Sequence, residues 1–329
     1  MSAAPECQRA PDVNERIIVG NSAPLNRVLK RASQVASRDV TVLIQGQSGT
    51  GKDMLASFIH GKSARASRPF VRFNSAAVPI PLAEAELFGH TRGAFTGATS
   101  ARSGFVRQAH GGTLVFDEVG ELPLELQAKL LRLLQDGEVQ PLGASRVEHA
   151  DVRILACTNR DLRALVGQGK FREDLYYRLA VVELALPALA ERRQDIPLLA
   201  REFALKYSRV FRIEEVSLSA ELLQRLSQRE WPGNVRELEN CIARMLALST
   251  TGRLELEDLE DEPQKPCTCP PKGSLRFQVS EFERQLIERT LKDCAHNQSE
   301  AARQLEITRV TLIDKMKRHG IHPRARAAN

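Results

Sequence analysis

One short segment limits this chain more than any other. Residues 40–44 read VTVLI, a β-branched run, and open directly into Gly46, Gln47, Ser48, Gly49, Thr50, Gly51, Lys52 and Asp53, after which helix-forming residues continue to His60. This is the G-x-x-x-x-G-K spacing in a strand–loop–helix setting. The glycines let successive backbone N–H groups turn toward one anion, and the following helix N-terminus adds its dipole. Lys52 supplies the charge that would bridge β- and γ-phosphates. The bland alternative is a Gly-rich turn between a strand and a helix. Further apolar runs at 70–73 (FVRF), 113–116 (TLVF), 152–156 (VRILA) and 181–186 (VVELAL) are separated by helix-length segments. Such alternation predicts βαβ units, an α/β fold and a mostly parallel sheet. Residues 123–136 carry Leu126, Leu130, Leu133 and Leu134 at helical spacing, an amphipathic helix.

The run at 113–116 ends in two acids, Asp117 and Glu118. Adjacent carboxylates at a strand end are costly unless solvated or bound to a cation. Behind a phosphate loop, Asp117 is the candidate for ordering Mg²⁺, directly or through a water. Glu118 is placed to polarise an attacking water as a base. A solvated strand end is the alternative. The strand at 152–156 runs on to Thr158 and Asn159, polar groups that can position water near a γ-phosphate, although polar strand ends are common. Asp53 stands where Ser or Thr usually ligates Mg²⁺, and an acid there would reach the ion only indirectly.

Beyond residue 186 the strand-like runs stop. The stretches IPLLAREFALKY, SAELLQRLSQ and WPGNVRELEN predict a small all-helical subdomain. An acidic run and then Pro263, Pro266, Pro270 and Pro271 oppose a packed core over 251–275. The expected organisation is a loose tail (1–15), an α/β core (16–187), a helical lid (188–250), a linker (251–275), a second helical module (276–322) and a short tail (323–329). Hydrophobic residues at 42% and charged ones at 27% exclude a mainly disordered chain, and 5% aromatics disfavour a stacking-dominated surface. No apolar run reaches membrane-spanning length and the first residues lack a secretory core. Six scattered Cys give no disulfide framework, so the expected compartment is the cytoplasm, with reduced thiols. Cys267 and Cys269 could ligate a metal, but no partner pair with ligand spacing accompanies them.

Residues 276–329 hold 11 Lys and Arg against 7 Asp and Glu, +4 of the chain's +6. Phe282, Leu286, Ile287 and Leu291 mark one helix. Asn297 to Glu300 is a cap pattern opening a second. A turn through Ile307 and Thr308 leads to a third, RVTLIDKMKRHG. Two short helices joined by a tight turn, the second basic, predict a helix-turn-helix. Arg309, Lys315, Lys317, Arg318, Arg324 and Arg326 would attract phosphate. A helical dimerisation bundle with a solvated basic face is the alternative.

One loop has neither strand nor helix period. Gly93 and Gly97 bracket Ala94, Phe95 and Thr96, and Ala98 follows. A Gly-bracketed segment with one Phe is either a mobile tip presenting an apolar group or a Phe tucked into the core. With ELFGH at 86–90 just before it, this GAFTGA segment resembles the sigma-54-dependent transcription activators, the bacterial enhancer-binding proteins with an AAA+ ATPase domain. GQSGTGKD, GELPLELQAKLLRLLQ, FREDLYYRL, ERRQDIPLL and WPGNVRELEN follow the family's order, and the resemblance covers roughly 17–250 and 280–321. The family's own loop also carries an acid after the lysine.

The resemblance implies a AAA+ parallel sheet with a helical lid and a Fis-type helix-turn-helix. It implies ATP hydrolysis with Mg²⁺ and remodelling of sigma-54 RNA polymerase from closed to open complexes. It also implies binding to upstream DNA and a homo-oligomer, a hexameric ring. The loop from Gly93 to Ala98 would touch sigma-54, chiefly through Phe95 and Thr96. Asn74 is similar to a switch residue that pairs with Glu118, and Arg172 and Arg178 to arginine fingers reaching a neighbour's ATP. Arg236 is similar to the lid's sensor arginine, and Gly20 to the turn beside adenine. Arg309, Thr311 and Asp314 would face base edges, where an acid costs affinity unless it accepts from cytosine N4. Ala188 and Ala190 depart from the usual Pro and Arg, so no role is assigned there. About 16 residues before the ATPase make no sensory domain, so control is expected from a separate regulatory protein, expression level or the DNA, or the chain is constitutive. Two other readings stay open: a DNA-binding regulator whose ATPase domain is only a scaffold, and a AAA+ remodeller of another target.

Overall fold

The computed structural model describes residues 18–95, 98–249, 252–259, 283, 284, 287, 290, 291, 294, 297–305 and 307–319. The chain divides into two units, residues 1–259 and 260–329. Five strands form the central sheet of the first: β1 (Val42–Gln45), β2 (Phe70–Asn74), β3 (Thr113–Asp117), β4 (Arg153–Thr158) and β5 (Val182–Ala185). Every pairing is parallel, in the order β2-β3-β4-β1-β5. All five expected strands and their parallel arrangement are present.

Period-two alternation splits the strand residues between two cores. Leu43, Phe73, Leu114, Phe116, Ile154 and Ala156 face one side, where they meet α4 (Leu124–Asp136), α5 (Leu162–Gly167) and α6 (Glu173–Leu179). Val42, Ile44, Val115, Leu155, Cys157 and Leu184 face the other, against α1 (Ala23–Ala36) and α2 (Lys52–Gly61). β4 is buried along all six residues, as a central parallel strand covered on both faces must be.

From β2 the chain runs through α3 (Ile80–Phe88) into a two-stranded ladder, Gly89–His90 against Arg102–Ser103. Gly104 closes that ladder because a Cβ there would lie 2.3 Å from the Gly89 nitrogen. A second ladder, Glu138–Val139 against Glu148–His149, stands nearby, and His90 bridges to Leu142. The segment after His90 therefore leans on residues 141–144.

The lid packs α7 (Ile196–Phe211), α8 (Ala220–Gln228) and α9 (Asn234–Leu248) around Trp231, Leu238 and Ile242. It is not all-helical: Ser217–Leu218 pairs in parallel with Arg253–Leu254. Leu254 and Leu259 enter the lid core, so the expected linker start belongs to the lid as far as residue 259. Isolated apolar residues inside an acidic run bury while their charged neighbours stay outside, and average composition hides that. In the second unit, α10 (Gln298–Gln304) and α11 (Arg309–Arg318) pack Ala301, Ala302, Leu312 and Met316 against Ile287 and Leu291. Phe282, Leu286, the tails and the Cys267–Cys269 pair lie outside the described residues. Among the described residues no helix is long and apolar enough to cross a membrane.

Candidate functional site

β1 ends at Gln45 and α2 starts at Lys52, with Gly51 in the left-handed region (φ 100°) as the turn into the helix. Lys52 is 7% exposed; its Nζ donates to the carbonyls of Gly46 (3.0 Å) and Gln47 (3.3 Å) and lies 3.7 Å from Glu118 Oε1. Asp117 ends β3 and Glu118 follows it; β4 alone separates β3 from β1, so the parallel order brings loop and acids to one end of the sheet. Burial pushes the Asp117 carboxyl above the usual carboxylate range, Glu118 beside it adds to the shift, and Lys52 opposes it. Among the described residues no three His, Cys, Asp or Glu are grouped to hold a metal ion. One half-buried carboxylate at the strand end beside the loop fits Mg²⁺ as phosphate sites use it, with one or two acids and the remaining ligands from phosphates and water. The Asp53 carboxylate lies 3.5 Å from an Arg72 nitrogen, and its charge adds to the upward shift of Asp117.

Glu118 adopts a left-handed backbone (φ 54°), which lifts its side chain off the strand line. Its Oε2 accepts from the Asn159 backbone N–H at 3.1 Å. The expected Asn74–Glu118 pair is not formed. Asn74 sits opposite Asp117 in the sheet register, and its side-chain oxygen accepts from the Ala76 N–H at 2.9 Å. The local turn at the end of β2 outcompetes the longer reach. Thr158 is fully buried and its hydroxyl accepts from the Arg160 N–H at 3.1 Å. Asn159 contributes through its backbone, a feature that side-chain motifs do not reveal.

The lid reaches the same loop. Arg236 donates to the Ser48 hydroxyl at 3.2 Å. Gly49 (φ 77°) packs so closely under Gly233 that a Cβ would lie 2.2 Å from the Gly233 carbonyl. Gly20 lies against Asp195, whose buried carboxylate accepts from the N–H groups of Asn21 (2.7 Å) and Ser22 (2.8 Å) and from the Ser22 hydroxyl (2.6 Å). Asp195, Arg192 and Asn234 escaped the sequence reading. Their signal was polar residues inside ERRQD and WPGN, which look like an exposed hinge until burial is known.

Arg172 is held by its own neighbour, bidentate to Asp174 at 3.0 and 2.7 Å, while its backbone N–H donates to Gln127. Arg178 is exposed in the last turn of α6 and forms no ion pair among the described residues. Neither arginine touches this chain's own phosphate loop.

In the GAFTGA segment Gly93 has φ 81°, and its N–H bonds the Ala98 carbonyl at 2.9 Å. Phe95 is half-buried, its ring edge-on to His90 at 5.1 Å, and Ala98 is buried. The apolar group expected at an open tip is thus docked on the ELFGH histidine, because an exposed ring next to an imidazole gains by packing. Ala94 leans on Gly143. Thr96 and Gly97 lie outside the described residues.

In the second unit Asn297 caps α10, accepting from Ser299 (3.1 Å) and Glu300 (3.4 Å). Arg309, Val310 and Asp314 are exposed on α11. Thr311 is exposed too, but its hydroxyl is 2.8 Å from that of Thr308, within the helix cap. Lys315 forms an ion pair with Glu283, which His319 also meets at 2.9 Å. Both partners hold the Glu283 carboxyl below the usual range. Lys315 is therefore engaged inside the module rather than free for phosphate, because charge balance within a small core favours the nearer acid. The side chains of Lys317 and Arg318, and Arg324 and Arg326, lie outside the described residues.

A parallel five-stranded sheet with a phosphate loop, an acid pair on the adjoining strand end and a helical lid against that loop defines a AAA+ nucleotide-binding module, here on the same chain as a helix-turn-helix. Comparison with known proteins narrows the class. Residues 18–185 match the sigma-54 interaction domain, 190–269 the AAA+ ATPase lid domain and 278–319 the Fis family of bacterial regulatory proteins. The chain belongs to the sigma-54 interaction domain family. It is 46% identical over 307 residues to the formate hydrogenlyase transcriptional activator FhlA of Escherichia coli, covering 92% of this chain and 44% of that protein. It is 43% identical over 322 residues to the transcriptional regulatory protein FlbD of Caulobacter vibrioides, covering 93% and 71%. The crystal structure of NtrX from Brucella abortus in complex with ADP superposes with a TM-score of 0.71 at 32% identity, over 93% of this chain and 69% of that one. NtrX has also been solved with ATP. The chain spans less than half the length of the formate hydrogenlyase activators it matches.

Proposed function

We propose that this protein hydrolyses ATP to remodel sigma-54 RNA polymerase from closed to open complexes while anchored to upstream DNA. The reading rests on one arrangement: Lys52, Asp117 and Glu118 converge at the sheet end, and the β2 strand beside them leads through α3 into the GAFTGA loop. Lys52 is held by two loop carbonyls and Glu118, and would exchange these partners for β- and γ-phosphate oxygens. Glu118 would take the proton of the attacking water. Asp117 would hold Mg²⁺, which offsets charge on the phosphates. Arg178, with Arg172 once released from Asp174, would cross to a neighbouring subunit's nucleotide, where a guanidinium suits developing phosphoryl charge. This requires a homo-oligomer, with a hexameric ring as the proposed form. Gly20 would border the adenine.

Coupling follows from chain continuity. Asn74 ends β2 next to Asp117, so exchanging its Ala76 bond for one to Glu118 would move the start of α3 and, beyond it, residues 89–98. Phe95 would leave His90 and, with Thr96, engage sigma-54. In the helix-turn-helix, Arg309 and Asp314 are proposed for base edges and Lys317 and Arg318 for phosphates. Thr311 is left to cap α11.

The test is reconstituted transcription from a sigma-54 promoter, with ATP against a non-hydrolysable analogue. Phe95→Ala should retain ATP turnover and DNA binding yet fail to open the promoter. Normal open-complex formation by Phe95→Ala would overturn the reading.

A further inference from the structure

The phosphate loop is braced from behind by the lid and its hinge. Three successive carbonyls are each taken by a donor from outside the loop. Ser48 O accepts from Asn234 Nδ2 (3.0 Å), Gly49 O from the Val235 N–H (3.0 Å) and Thr50 O from an Arg192 guanidinium nitrogen (2.7 Å). Across a planar trans peptide, C=O and N–H point in opposite directions, and none of the described peptide bonds is cis. Fixing the carbonyls of residues 48, 49 and 50 toward lid and hinge therefore fixes the N–H groups of Gly49, Thr50 and Gly51 on the other side, where the Thr50 N–H donates to the Gln47 carbonyl at 3.4 Å within the loop.

Both side-chain donors sit in costly positions. Asn234 is 1% exposed with a left-handed backbone (φ 53°). Its amide is fully used: the oxygen accepts from the hinge N–H of Leu189 (2.8 Å), and the nitrogen also reaches Gln47 Oε1 (3.1 Å). Arg192 is 3% exposed, and its Nε is buried without a hydrogen-bond partner among the described residues. Burying a guanidinium to reach one main-chain carbonyl costs stability that an apolar residue would not. Asp195 is the acid acting on it, and burial still holds its pKa below the usual value.

We infer that Asn234 and Arg192 are positioning residues for nucleotide binding: they clamp the Ser48 and Thr50 carbonyls so that the N–H groups of Gly49 and Gly51 are aimed at phosphate before the nucleotide arrives. They touch no ligand themselves. The inference rests on the nucleotide-site reading above and adds that lid and hinge set the loop's affinity for phosphate. If the lid moves away, the loop loses its aim, so lid position and phosphate affinity are linked.

The experiment measures ADP and AMP binding by calorimetry on the full chain and on two variants that release the clamp at different points. Asn234→Gly removes the amide while tolerating the left-handed backbone, and Arg192→Met removes the guanidinium while filling its space. The loop's N–H groups act chiefly on the β-phosphate. ADP affinity should therefore fall about tenfold or more in each variant, as expected for one lost buried hydrogen bond and a misdirected loop. AMP affinity should change less than about twofold, so the preference for ADP shrinks. Arg192→Lys, which keeps a cation able to reach Thr50 O, should recover much of it. Equal losses for ADP and AMP would reduce both residues to general structural supports, and unchanged ADP affinity in either variant would overturn the clamp. A wild-type chain that binds neither nucleotide would remove the nucleotide reading itself.

Discussion

Gly49→Ala asks how tightly the lid sits on the phosphate loop. Gly49 has φ 77°, and a Cβ would come within 2.2 Å of the Gly233 carbonyl oxygen and 3.1 Å of Arg236 Cβ. The left-handed backbone alone costs a non-glycine residue about 1–2 kcal/mol. The carbonyl is main chain at the start of α9, so the overlap is relieved only by moving the lid by about 1 Å. That shift breaks the Val235 and Asn234 bonds to Gly49 and Ser48, at about 1 kcal/mol net each. The sum, roughly 3–4 kcal/mol, lowers the melting temperature of the first unit by roughly 10 °C at about 2–4 °C per kcal/mol. Two glycines provide the scale. Gly51 has φ 100° with open space around it, so Gly51→Ala should cost only the backbone contribution of about 1–2 kcal/mol. Gly61 ends α2 with nothing within 4 Å and no left-handed backbone, so Gly61→Ala should gain up to about 1 kcal/mol. Differential scanning calorimetry should therefore rank Gly61→Ala above wild type, then Gly51→Ala, then Gly49→Ala. A Gly49→Ala protein that melts with Gly51→Ala would mean that the lid does not rest on Gly49.

Three further outcomes are expected. Glu118→Gln should bind ATP normally and lose turnover by about 10²-fold or more, whereas Lys52→Ala should lose binding; equal turnover in Glu118→Gln and wild type removes Glu118 as base. Asp117 titrates above its unfolded value, so ionising it costs stability that is fully absent below the ordinary carboxylate pKa. Asp117→Asn should raise the melting temperature of the ligand-free protein at neutral pH, with the gain vanishing by about pH 4, and no gain at neutral pH would contradict the burial argument. Glu283 titrates low, so its contribution to the second unit is present at neutral pH and lost as pH falls through the carboxylate range. Glu283→Gln should flatten that acid dependence and free Lys315, steepening the salt dependence of DNA binding by about one phosphate contact; an unchanged salt slope would mean Lys315 does not reach DNA.

Much of the site was legible in the chain because its chemistry is local. The G-x-x-x-x-G-K loop must follow a strand and open a helix to turn its N–H groups inward. Asp117 and Glu118 are adjacent in sequence and so adjacent in space. The three central strands were visible because parallel strands covered on both faces need unbroken apolar runs, the two edge strands because β-branched and aromatic residues gather there around Arg72 and Glu183, and α10 because Asn297 caps it.

Whatever depends on a partner distant in sequence was settled only by tertiary structure. Asn74 has both an adjacent turn and a remote carboxylate within its chemistry, and only the folded geometry decides for Ala76. Phe95 could be open or docked, and His90 decides it. Lys315 reads as a phosphate ligand until Glu283, 32 positions earlier, is brought beside it. Leu254 and Leu259 look like linker residues until the lid core closes over them. Arg192, Asp195 and Asn234 carry ordinary polar side chains in hinge-like sequence. Their roles exist only because burial removes competing water, which makes each hydrogen bond to the phosphate loop or the α1 N-terminus selective for one partner.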